Sequence, residues 1–174
     1  MNMTDYKVRT ETEQDIDFLW EMLYQAIFMA EGEIKPSREI LNQPEIFKYL
    51  CNWGRQGDIA LIAMDSSEKP VGAIWIRLFD ETNKTYGFID KNTPVLSMAV
   101  VPEYRGQGVG TLLLNEMLRK AKNSGFFSLS LSVDPKNPAL HLYERHGFVK
   151  VGINGTSWDM MTTLDNKYKI EGLR

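Results

Sequence analysis

The stretch Val101-Pro102-Glu103-Tyr104-Arg105-Gly106-Gln107-Gly108-Val109-Gly110 constrains this chain more than any other. An apolar run from Val95 to Val101 reads as a buried strand, and it stops at Pro102. A helical pattern begins just after the glycines and continues to about Asn123. Glycines at alternate positions between a strand and a helix make a loop whose backbone amides can converge on an anion. The positive end of the helix adds to that attraction. The stretch therefore reads as a phosphate grip, and the rest of the chain must say which phosphate carrier it holds.

The 174 residues suit one domain spanning 1–174, with a polar tail over 165–174 expected to fray. A net charge of -3 argues against a general nucleic-acid binder, and no apolar run reaches membrane-spanning length. Met1 to Gln14 is polar and acidic, unlike a signal peptide, so a cytoplasmic location is expected. Cys51 is the sole cysteine, which excludes an intramolecular disulfide and a thiolate metal cluster. It is read as a reduced, buried thiol within a helix.

Element order follows from periodicity and punctuation. Tyr6–Thr10 is a short strand, and Asp15–Ala30 a helix with Leu19, Met22, Leu23, Ala26, Ile27 and Ala30 at helical spacing. Trp20, Tyr24 and Phe28 form a second stripe on that helix, mostly expected in the core. Ser37 to Arg55 is a second helical region interrupted at Pro44. Asp58–Met64 and Pro70–Phe79 make a hairpin, and a polar loop fills Asp80–Thr93. The helix to Asn123 offers Leu112, Leu113, Met117 and Ala121 to the core and stops at Gly125. Phe126–Val133 is a strand. Asn137 caps a helix with Pro138 at its first position and Gly147 at its end. Phe148–Ile153 and Thr156–Leu164 flank Asn154-Gly155, a hairpin signal. The class is α/β or α+β, with a mixed, mostly antiparallel sheet flanked by helices and one parallel crossover in the middle.

Three kinds of glycine loop compete. A dinucleotide fingerprint places its third glycine three residues after the second, whereas Gly106, Gly108 and Gly110 alternate. Asp134, at the end of the next strand, keeps that reading open. A triphosphate loop needs Gly-Lys-Ser/Thr, but Gly110-Thr111-Leu112 has no lysine. The third kind is a coenzyme A pyrophosphate loop. Here the chain resembles the GCN5-related N-acetyltransferases. Arg105-Gly106-Gln107-Gly108-Val109-Gly110 is similar to their Arg/Gln-x-x-Gly-x-Gly/Ala, after a strand ending Val-x-Pro. Asn137, Ala139, Leu142-Tyr143-Glu144 and Gly147-Phe148 match the family's second motif.

The resemblance implies acetyl transfer from acetyl-CoA, as cosubstrate, to a primary amine, with no metal. It places the pyrophosphate at the amides of Gln107, Gly108, Val109 and Gly110, with charge from Arg105 and with Gly106 and Thr111 also at the cofactor. It lays the pantetheine arm along Met98, Ala99, Val100 and Val101, with Asn137, Ala139 and Tyr143 also at the cofactor. Tyr143 would protonate the departing thiolate, since a phenol stays protonated at neutral pH. An amide near Val100 would hold the oxyanion. The general base is not evident. Val95-Leu96-Ser97-Met98-Ala99 carries no carboxylate, and Ser97 is only a relay through water. Glu31, Glu33, Asp80 and Glu81 are the alternatives. Tyr24, Phe28, Glu31 and Glu33 would border the acceptor, a small-molecule or protein amine. The doubly apolar first helix leaves room for a homodimer contact. Two other readings stay open: an acyl-CoA-binding module without catalysis, and a dinucleotide enzyme.

Overall fold

The computed structural model describes residues 5–164, so the tail over 165–174 lies outside the described residues. Its strands are β1 (Lys7–Thr10), β2 (Ile59–Met64), β3 (Pro70–Arg77), β4 (Val95–Val100), β5 (Ser128–Val133), β6 (Val149–Asn154) and β7 (Ser157–Thr163). They form one mixed sheet ordered β1-β2-β3-β4-β5-β7-β6. Every neighbouring pair is antiparallel except β4 and β5. The helices are α1 (Ile16–Gln25), the single turn α2 (Pro44–Phe47), α3 (Val109–Asn123) and α4 (Ala139–Arg145).

Side-chain alternation along the strands divides the core between two faces. On one face Ile74, Ile76, Leu96, Leu129 and Leu131 pack against Leu113, Leu114 and Met117 of α3 and Tyr143 of α4. On the other, Ala60, Ile62, Ala73, Trp75 and Ala99 pack against Leu19, Met22 and Leu23 of α1. Leu114 is fully buried on α3, while Leu112 is only half-buried.

Several boundaries differ from the sequence reading. The first helix ends at Gln25 rather than Ala30. Its last bond tightens to Ile27 N–H donating to the Tyr24 carbonyl, and the Tyr24 hydroxyl bonds the Pro36 carbonyl at 2.6 Å, drawing the next segment back along the helix. The second helical region becomes a 3-10 turn at Arg38–Asn42 followed by α2, with Pro44 starting the new turn. Cys51 therefore lies in a turn, half-buried, and not in a helix. In the last hairpin Asn154 pairs with Ser157, so the two-residue loop is Gly155-Thr156, one position later than the Asn-Gly signal. Gly155 takes the first central position at φ 61°.

One interaction holds the far end of β3. Arg77 and Asp58 form a two-bond ion pair (3.0 and 2.8 Å) with side chains only 1% and 2% exposed. The remaining guanidinium nitrogen bonds the carbonyls of Lys48 and Cys51 at 3.0 and 2.7 Å. Nothing local in sequence marks this pair.

Candidate active site

β4 and β5 run side by side but share only the pair Val95–Ser130. Beyond it they diverge, while β4 stays paired with β3 through Val100. Val101 N–H bonds the Val71 carbonyl on the β3 side, so alternation turns the backbone groups of Met98 and Val100 toward the opening. An edge that would otherwise carry a neighbour strand is thus left free inside the sheet.

The glycine loop closes one end of that opening. A 3-10 turn, Pro102–Tyr104, leads to Gly106 at φ 76° and Gly108 at φ 88°, left-handed values that disfavour other residues. Gly108 caps α3 and has no side chain to bond the first amides of the helix. Leu112 N–H already bonds the Gly108 carbonyl, so the N–H groups of Val109, Gly110 and Thr111 remain without helical partners. Gly110 packs closely against two side chains. A Cβ there would sit 3.3 Å from Leu142 Cδ2 and 3.6 Å from Met98 Cε.

Three side chains, those of Tyr6, Tyr104 and Arg105, fix the loop in advance. The Tyr6 hydroxyl donates to Gln107 Oε1 at 2.6 Å, and the Tyr104 hydroxyl donates to Asp65 at 3.0 Å. Arg105 Nε donates to the Val100 carbonyl at 3.0 Å, and its Nη2 reaches Gln25 Oε1 at 3.4 Å. The Arg105 side chain is thereby a brace between β4 and the end of α1. Lys35 donates to the same Gln25 oxygen at 3.1 Å; burial and the Arg105 charge lower its pKa.

The resulting cleft has a volume of about 970 Å³. Ser97, Met98, Ala99, Val100, Arg105, Gly106, Gly108, Val109, Gly110, Thr111, Asn137, Ala139 and Tyr143 all line it, as do Phe28 and Glu33. Val101, Gln107, Tyr24 and Glu31 are not among the lining residues. The Gln107 side chain is engaged with Tyr6, and the Tyr24 hydroxyl with Pro36. Asp80 is tied to Thr82 and Glu81 pairs with Lys84, so both lie in the outer loop away from the cleft.

Tyr143 is 7% exposed and edge-on to Phe148, with ring centroids 5.7 Å apart. Burial pushes its phenol above the ordinary value, so it is protonated at neutral pH. Asn137 caps α4 by accepting from Ala139 N–H at 2.9 Å. His146 bonds Leu142 O and Asn115 Oδ1, joining α4 to α3, which leaves it no chemical duty in the cleft. The sequence reading did not anticipate Tyr49, Tyr86 and Ser132 in the lining. Burial pushes the Tyr49 phenol up to about 12. These residues come together only through long-range packing, and no local motif marks them.

Residues 20–148 match the model of the Acetyltransferase (GNAT) family. The chain belongs to that family. It is 37% identical over 79 residues to the [ribosomal protein bS18]-alanine N-acetyltransferase of Haemophilus influenzae, covering 42% of this chain and 53% of that protein. It is 32% identical over 89 residues to the mycothiol acetyltransferase of Propionibacterium freudenreichii, 51% of this chain and 27% of that one. The chain thus spans about half the length of one curated relative and a quarter of the other. A GNAT acetyltransferase structure from Staphylococcus aureus superposes with a TM-score of 0.67 at 19% identity, covering 92% of this chain and 99% of that one. The PaiA N-acetyltransferase of Thermoplasma acidophilum, solved with coenzyme A, superposes with a TM-score of 0.64 at 19% identity over 91% and 98%. The mixed sheet with its parallel β4–β5 step is the shared GNAT fold.

Proposed function

We propose that this protein transfers the acetyl group of acetyl-CoA to a primary amine. The observation that carries the reading is the divergence of β4 and β5 after Val95, with free α3 amides at one end and Tyr143 lining the same cleft. A pantetheine arm fits as a missing strand, bonding the open backbone of Met98 and the Val100 N–H, the Val100 carbonyl being taken by Arg105. The N–H groups of Val109, Gly110 and Thr111, with those of the preceding loop, suit a pyrophosphate. The coenzyme bound in the PaiA neighbour supports this choice over a dinucleotide. No step needs a metal.

The acceptor enters from the α1 side, where Phe28, Glu33, Tyr49, Tyr86 and Ser97 line the cleft. A neutral amine attacks the thioester carbonyl, the amide near Val100 holds the developing oxyanion, and Tyr143 protonates the leaving thiolate. The bS18-alanine and mycothiol relatives act in one case on a protein and in the other on a small molecule, so both acceptor classes belong in the test.

Thiol release from acetyl-CoA across a panel of polyamines, amino acids, aminoglycosides and peptide N-termini tests the reading. At least one amine is expected to raise release well above hydrolysis. Tyr143→Phe is expected to lower kcat about 100-fold or more with CoA affinity within about twofold. Tight CoA binding without transfer to any amine would favour a binding module instead.

A further inference from the structure

On the α1 face, three buried polar side-chain atoms have no hydrogen-bond partner among the described residues, Trp75 Nε1, Ser130 Oγ and Asp159 Oδ1, while the Thr85 hydroxyl is engaged with Tyr49. The strand register shows how they are related. Trp75 pairs with Ser97, Val95 with Ser130, and Ser132 with Asp159. Leu129, Leu131 and Val133 face α3, so Ser130 and Ser132 face the other way, as do Ser97 beside Trp75 and Asp159 beside Ser132. A polar row therefore crosses the sheet from the cleft wall, at Ser97 and Ser132, to Asp159 one strand behind it.

The row is roofed by the 85–88 segment and by Tyr49. The Tyr49 hydroxyl lies 3.4 Å from the Tyr86 carbonyl. Gly87 lies so close to β5 that a Cβ would come within 2.8 Å of Leu131 C. Gly87 N–H donates to the Asp159 carboxylate. Ser130 and Trp75 are 0% exposed, and buried groups of this kind are the usual hosts of ordered water. We propose that ordered water along this row carries the acceptor's proton from the cleft to Asp159, which is the proton sink that β4 itself does not provide.

The proposal rests on the acetyltransferase reading above. The acceptor ammonium gives one proton to water, and water gives one to Asp159. The neutral nitrogen then forms its bond to the carbonyl carbon, and the carbon–sulfur bond breaks. The second proton lost by nitrogen balances the one gained by the thiolate. Asp159 has no lysine or arginine ion pair among the described residues. The titratable group near it is Tyr49, from the segment after α2, which itself lies near Tyr86 and Glu45, while Lys150 of the neighbouring strand turns to Trp158 on the opposite face. Burial raises the Asp159 pKa, in the direction that suits a proton acceptor.

The test is the pH profile of kcat/KM for Asp159→Asn, which keeps an acceptor for Gly87. We expect about a 100-fold loss at pH 7 with unchanged CoA affinity. The loss should shrink as pH rises, and nearly vanish with an acceptor amine already neutral at pH 7. Ser130→Ala should show the same pattern more weakly. A loss equal at every pH and with both kinds of amine would assign Asp159 a structural role and overturn the proposal. So would wild-type turnover in the variant, or a high-resolution crystal structure with a dry Asp159 Oδ1. Failure of the wild type to acetylate any amine would sink the acetyltransferase reading, and this route with it. Wild-type activity with an unaffected Asp159→Asn sinks only the route.

Discussion

The two faces of the sheet are built on opposite principles. Toward α3 and α4 the layer is apolar save for Thr162 at its edge: Leu113, Leu114, Met117 and Ala121 interdigitate with strand residues that are all but fully buried. Toward α1 the apolar patch stops at β4. Beyond it, over β5 and β7, the face carries the 85–88 segment and single polar side chains, with Ser130 Oγ and Asp159 Oδ1 unpartnered among the described residues, while the Asp58–Arg77 ion pair closes the end of β3. The difference follows from coverage. α3 packs on β1 to β4 and α4 extends the apolar layer to β5, whereas α1 packs on β3 and β4 and leaves β5 and β7 to the 85–88 segment. An apolar face gives stability without chemistry. A polar face stabilises less but can hold a substrate and move a proton.

The largest expected effect lies on the polar face, at its one fully paired anchor. Asp58→Ala leaves the Arg77 charge buried and uncompensated, which is expected to cost about 3–5 kcal/mol in denaturant unfolding. Replacing both, as Asp58→Leu with Arg77→Met, should recover part of that loss. Full recovery is not expected, because Arg77 also satisfies the carbonyls of Lys48 and Cys51. If the single substitution cost no more than an exposed charge, the contrast between the faces would fail.

The next effect is one of sign. Two aspartates of the chain respond to pH in opposite ways. The Arg9 guanidinium, bonded to Asp15 at 2.7 and 2.9 Å, holds that carboxyl below its ordinary value. Its stabilisation is complete above the unfolded pKa of about 4 and is lost as pH falls through the lowered folded pKa. Asp159 is raised by burial, so the folded state binds the proton more tightly than the unfolded state. Its contribution is favourable at low pH and is lost as pH rises through the window above about 4. Asp159→Asn should therefore melt higher than wild type at neutral pH, with the gap closing toward pH 4. Asp15→Asn should melt lower, and its gap should also close in acid. A proton-transfer group that weakens the fold is the usual exchange of stability for activity.

The same contrast explains what could be read from the sequence. Features of the α3 face are local. The strand end at Pro102, the alternating glycines, the helix to Asn123 and the Asn137 cap each lie within a few residues, and periodicity reveals them. The β4–α3–β5 crossover followed from the same signals. The α1 face is assembled from distant segments. Phe28 continues an aromatic stripe at helical spacing, yet the helix ends at Gln25 and Phe28 turns into the cleft. The Asp58–Arg77 pair and the Trp75, Ser97, Ser130, Ser132 and Asp159 row depend on strand register, which local patterns do not reveal. That is why the glycine loop and its helix were legible and this polar row was not.

The smallest stability effect separates the two kinds of face most cleanly. Ser130 is fully buried at the centre of the sheet, in a position where a change on the apolar face would be costly. Its hydroxyl has no partner among the described residues, so Ser130→Ala removes a polar atom without orphaning another among them. Unfolding free energy should change by less than about 1 kcal/mol, because the site loses only one small atom and the hydrogen bonds of a water. Turnover at neutral pH should nevertheless fall. A loss of stability comparable to a truncated leucine would mean that Ser130 is a packing residue like its neighbours Leu129 and Leu131, and that the α1 face is a core after all.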